Sequence, residues 1–61
     1  MNIKVGTPVI LPLDEKGVVV KQLPRIWASA YQVRITKGGI FNEVGSIETF
    51  LERDVHVDSN T

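Results

Sequence analysis

Tyr31-Gln32-Val33-Arg34-Ile35-Thr36, followed by Lys37-Gly38-Gly39, decides the fold. Apolar and polar residues alternate through six positions, which is the period of a strand that buries one face. Tyr31, Val33 and Ile35 are expected in the core; Gln32, Arg34 and Thr36 are expected in water. Lys37-Gly38-Gly39 predicts a hairpin turn, because glycine takes positive φ without steric cost. The return strand is expected over about 40–47, with Gly45 as a bulge.

Upstream, Gly17-Val18-Val19-Val20-Lys21-Gln22-Leu23 reads as a second strand. Its three consecutive β-branched residues suit a pleated surface and disfavour a helix. Pro24 ends it, and Asp14-Glu15-Lys16-Gly17 before it predicts a turn. Pro8 and Pro12 forbid a helix interior and a central strand between 3 and 13. Val9-Ile10-Leu11 between them predicts the first strand. Downstream, the stretch 46–57 reads two ways. Ile47, Phe50 and Leu51 follow helical spacing, Ser46 is an N-cap type, and Glu48 and Arg53 suit the helix dipole. Val55-His56-Val57 alternates like a strand. The expectation is a short helical turn over about 49–53 and a final strand at 54–57. Residues 1–57 then form one domain, and the tail 58–61 is frayed.

A chain of 61 residues buries only ~60% of the surface its unfolded form exposes, so its core is marginal. Such domains often gain stability from disulfides, metals or self-association. There is no Cys, and His56 is the lone His, so neither a disulfide nor a metal site is expected. No acidic loop has the spacing of a calcium site. Good packing, self-association or a partner remains. No apolar run approaches the ~20 residues of a membrane span. Met1-Asn2-Ile3-Lys4 lacks the apolar core of a signal peptide. The expected location is cytoplasmic, away from membranes. Net charge is zero but uneven: residues 1–39 carry six basic and two acidic side chains, whereas 40–61 carry one basic and five acidic ones. Such a dipolar surface can pair with another copy or steer a charged partner.

Four to five short strands, a glycine hairpin and a late helical turn describe an all-β, SH3-like small barrel. Val5-Gly6-Thr7-Pro8-Val9 followed by Lys16-Gly17-Val18-Val19-Val20 resembles the opening of many such barrels, KOW modules of transcription and ribosome factors among them. Tyr31-Gln32-Val33-Arg34-Ile35 and Leu51-Glu52-Arg53-Asp54-Val55 extend the resemblance over most of the chain. SH3-like barrels serve many unrelated functions. Gly45-Ser46-Ile47-Glu48-Thr49-Phe50, with Leu51-Glu52-Arg53, is also similar to the pore segment of the plasmid-borne, trimethoprim-resistant dihydrofolate reductases, which are tetramers of SH3-like barrels. That resemblance would place Ser46, Glu48, Thr49 and Phe50 at a shared pore. The chain departs from it: Glu48 stands for Gln, Thr49 for Ile and Phe50 for Tyr, and the spacer before Leu51 is missing. Four Glu48 carboxylates would crowd one pore and repel an anionic cofactor.

No catalytic residue, cofactor or metal ligand is expected. His56 lies on the outward side of its alternation, and Glu48, Glu52 and Asp54 read as solvated carboxylates. Gly38-Gly39 lacks the further glycines and helix of a phosphate cradle. Arg25-Ile26-Trp27, in the connection after Pro24, combines side chains that dominate binding hot spots. Lys21, Arg25, Ile26, Trp27 and Arg34 are therefore the expected binding residues. The expected function is a non-catalytic protein-binding module: an adaptor, an accessory subunit or an inhibitor, including one of phage type. The alternative partner is nucleic acid, bound by Lys16, Lys21, Arg25, Arg34 and Lys37 with Trp27 stacking a base; zero net charge opposes it. The reductase-like enzyme is the third reading and requires a tetramer.

Overall fold

The alternating stretch becomes an interior strand of one sheet. The computed structural model describes residues 3–23 and 29–59, and it is all-β. Strands β1 (Pro8–Ile10), β2 (Lys16–Leu23), β3 (Ala30–Lys37), β4 (Ile47–Leu51) and β5 (His56–Val57) form an antiparallel sheet in the order β4-β3-β2-β1-β5. Consecutive strands are neighbours as far as β4. The chain then passes through a 3-10 turn at Glu52–Asp54 and lays β5 beside β1. No helix among the described residues is long and apolar enough to cross a membrane.

Tyr31, Val33 and Ile35 are buried, as their alternation requires, and join Ile3, Val9, Leu11, Val19 and Val55 in the core. Phe50 packs against this cluster. Register places Val19 opposite Val33 and Tyr31 opposite Phe50, so both flanks of β3 deliver apolar side chains to one face. The Tyr31 hydroxyl accepts a hydrogen bond from the Ile3 backbone N–H at 3.2 Å, which keeps the polar tip satisfied in an apolar setting. The Gln22 side-chain amide donates to the Ile3 carbonyl and holds the same N-terminal segment. Gly17 is required by close approach: a Cβ there would stand 2.3 Å from Val33 Cγ1 and 2.6 Å from the Arg34 carbonyl oxygen.

Several expected boundaries move. The return strand does not start at residue 40. Residues 38–46 form a long connection, and β4 begins only at Ile47. Ile40 and Phe41 are 91% and 73% exposed, so their apolar character marks surface, not strand core. Gly45 is a turn residue at φ +92°, not a bulge. Its N–H donates to Ile35 O at 2.8 Å while the Ser46 N–H and Oγ both donate to Glu43 O. Ser46 thus closes a turn and caps no helix. The helical spacing of Ile47, Phe50 and Leu51 is coincidental, because 47–51 is extended and pairs with β3. The helical turn sits later, at Glu52–Asp54, and β5 contains only His56 and Val57.

The first turn also comes earlier than 14–17. Pro12 fixes the φ of the first position of a 3-10 turn at Pro12–Asp14, and the Leu11 N–H closes on Glu15 O at 2.8 Å. Leu13 and Asp14 both take positive φ, 62° and 63°, a conformation that costs a non-glycine residue energy. Asp58, expected in the frayed tail, is buried. Its N–H donates to Pro8 O at 2.9 Å, and its carboxylate lies 3.7 Å from Lys16 Nζ.

Candidate functional site

Directly opposed residues in an antiparallel sheet share a face, so register alone lays out the outer surface of β2, β3 and β4. Leu23, Ala30 and Leu51 form one row, Lys21, Gln32 and Thr49 the next, and Val18, Arg34 and Ile47 the third. The sequence builds this face with the residues left over from core packing. Each buried position in β3 alternates with one of Ala30, Gln32 or Arg34. A register shift in β2 between Val19 and Lys21 absorbs Val20 and returns Lys21 to the outer side.

The face is mixed in charge and polarity. Lys21 and Arg34 are exposed and stand in adjacent rows, and the neutral Gln32 and Thr49 complete the row of Lys21. Ile47 and Leu51 flank them on β4 at 49% and 39% exposure. Two exposed cations and two exposed aliphatic side chains on one face make an amphipathic surface. Of the five binding residues expected from sequence, the structure brings Lys21 and Arg34 onto one face. Arg25, Ile26 and Trp27 lie outside the described residues.

A second exposed apolar group adjoins β4 in sequence. Ile40, Phe41 and Val44 all project from the 38–46 connection. This connection is tied to the sheet from below. Asn42 Nδ2 donates to Glu15 Oε1 at 2.6 Å, and Glu15 is a buried carboxylate immediately before β2. Its Oε2 is buried without a hydrogen-bond partner. Gly39 leaves room for it, since a Cβ there would lie 2.8 Å from that oxygen. Asn42 also accepts the Gly39 N–H through its backbone carbonyl, at 3.3 Å. Glu15 therefore positions the loop that presents Phe41.

Sequence reading missed Ile47 and Leu51, because their spacing with Phe50 read as helical. The return strand expected over about 40–47 also included Phe41. The glycines around Phe41 were the available signal that the segment is a loop. His56 is exposed, but so is Val57, so the expected alternation holds only for Val55 and His56; Glu48 lies opposite Val33 on the inner side of β4. Among the described residues, no group of three or more His, Cys, Asp or Glu side chains is placed to hold a metal ion.

The chain matches no protein-family model, no curated protein and no solved structure at a significant level. Its reading therefore stands on its own residues.

Proposed function

We propose that this protein is an SH3-like barrel that acts as a protein-binding module, with the outer face of β2, β3 and β4 as its contact surface. The strand order β4-β3-β2-β1-β5, with a 3-10 turn just before the last strand, supports the barrel reading. The observation that carries the functional reading is the composition of the outer face: exposed Ile47 directly opposite Arg34, with Leu51 and Lys21 on the same face, all on strands rather than loops. Interfaces combine apolar anchors with arginine in this manner. Lys21 and Arg34 would steer and orient a partner bearing acidic groups, and the aliphatic flanks would supply desolvation.

The test is affinity capture from a lysate of the source organism, with and without nuclease, across a salt series. Wild type should retain a stoichiometric protein through nuclease treatment and high salt. Arg34→Glu and Lys21→Glu, both at exposed positions, should lose it while folding normally. A catch that vanishes with nuclease or falls steeply with salt would overturn the protein-binding reading. It would assign Lys21 and Arg34 to phosphate contacts.

A further inference from the structure

The backbone phase of β4 carries an inference about assembly. Ile35 N–H donates to Ser46 O and Glu52 N–H donates to Ser29 O, both at 2.9 Å. These bonds close the two ends of the β3–β4 ladder, whose register runs from Arg34↔Ile47 to Ala30↔Leu51. Hydrogen-bonded pairs recur at every second residue of an antiparallel ladder. Glu48 and Phe50 therefore turn their N–H and C=O groups toward β3, and Ile47, Thr49 and Leu51 turn theirs away. β4 is the last strand of the sheet on that side. Among the described residues, those three have no backbone hydrogen bond on the open side.

Such an edge is a template for another strand. Natural edges are commonly protected by lysine, proline, extreme shortness or an inward-pointing charge, and Glu48 gives β4 only the last of these. β4 has five residues and neither Lys nor Pro, whereas β5, at the opposite edge, has only two. The sequence of β4 also specifies its occupant. We infer that β4 pairs antiparallel with β4 of a second copy of this chain, about a two-fold axis through Thr49. In that register Ile47 faces the partner's Leu51, Thr49 faces the partner's Thr49, and Leu51 faces the partner's Ile47. All three outward-turned residues are then opposed to outward-turned residues, giving about six inter-strand hydrogen bonds at two per pair. The exposed side chains form two aliphatic cross-strand pairs around a threonine pair, combinations that stabilise sheets.

Neighbouring registers are poorer. An axis through Glu48 sets two carboxylates directly opposite each other, which is destabilising, and leaves Leu51 unopposed within the strand. An axis through Phe50 leaves Ile47 unopposed in the same way. Glu48 thus selects the Thr49 register, in which it faces the partner's Phe50. The result is a continuous sheet through both copies, with Lys21 and Arg34 repeated on one outer surface. The pairing stands on the ladder phase and does not rest on the protein-binding reading.

Sedimentation equilibrium of the full chain from micromolar to millimolar concentration, together with amide hydrogen exchange over the same range, tests it. Wild type should approach twice the chain mass. Protection at Ile47, Thr49 and Leu51 should rise with concentration, whereas Glu48 and Phe50 stay protected throughout. Thr49→Pro removes only an outward N–H, a placement that an edge strand tolerates; it should weaken association at least tenfold and keep a native circular-dichroism spectrum. A wild type that stays monomeric to millimolar concentration overturns the proposal. So does a dimer whose Ile47, Thr49 and Leu51 amides exchange fast at every concentration, a result that needs no variant to fold.

Discussion

Gly17 shows how one residue can constrain the whole sheet. Its missing Cβ lets Val33 and the Arg34 carbonyl approach to distances that no side chain would permit. Gly17→Ala should therefore cost ~1–3 kcal/mol, the range for overpacking a core. A urea denaturation midpoint unchanged from wild type would show that β2 and β3 can separate freely there. Leu13 is the opposite case. It holds positive φ with an exposed side chain and lies in no buried cluster. Leu13→Gly removes a left-handed cost of ~1–2 kcal/mol and adds ~0.5–1 kcal/mol of chain entropy. The net expectation is a midpoint that holds or rises slightly. A clear loss of stability would mean that Leu13 makes contacts its exposure conceals. The core alternation of Tyr31, Val33 and Ile35 was legible in the sequence because polar and apolar side chains separate by solvation alone. Glu15 and Asp58 were not legible as buried, because a carboxylate reads as surface until its partners are placed by the fold.

At the scale of elements, strands were easier to read than the connections between them. β2 and β3 lie within a residue of their expected bounds, because β-branched runs and strict alternation are local signals. The 38–46 connection failed as a hairpin because its geometry is set from a distance. Asn42 reaches Glu15, which is 27 positions away in sequence, and nothing in the local pattern of Ile40 and Phe41 reports that bond. Asn42→Ala should cost ~1–3 kcal/mol, since it leaves both oxygens of a buried carboxylate without a donor. Glu15→Ala combined with Asn42→Ala should cost less than the two single changes together, because each removes the same bond. Strict additivity in urea denaturation would show that the two side chains do not couple. Replacing Ile40 and Phe41 by serine should leave the midpoint within ~0.5 kcal/mol of wild type, as for surface positions generally. A larger loss would place Phe41 in a packed environment.

For the molecule as a whole, the sheet order converts an asymmetry along the chain into one between centre and edges. The interior strands β2 and β3 carry Lys16, Lys21, Arg34 and Lys37. The acidic last third supplies β4, the Glu52–Asp54 turn and β5, which occupy the two edges. Lys16 stands opposite Lys37 in register, a like-charge juxtaposition. Asp58 offsets it, because its buried carboxylate lies 3.7 Å from Lys16 Nζ and its N–H anchors the chain to β1. The Lys16 side chain is 46% exposed, so solvent screens the pair and its worth is at most ~1 kcal/mol. Asp58→Asn, which keeps the backbone bond, should lower stability by about that amount at low salt and by less as salt rises. Adding Lys16→Gln to that variant should recover part of the loss, since it also relieves the repulsion with Lys37. A further drop on adding Lys16→Gln would mean that the Lys16 stem contributes by packing. An Asp58→Asn midpoint equal to wild type at low salt would show that this charge pairing plays no part in holding the C-terminal segment in place.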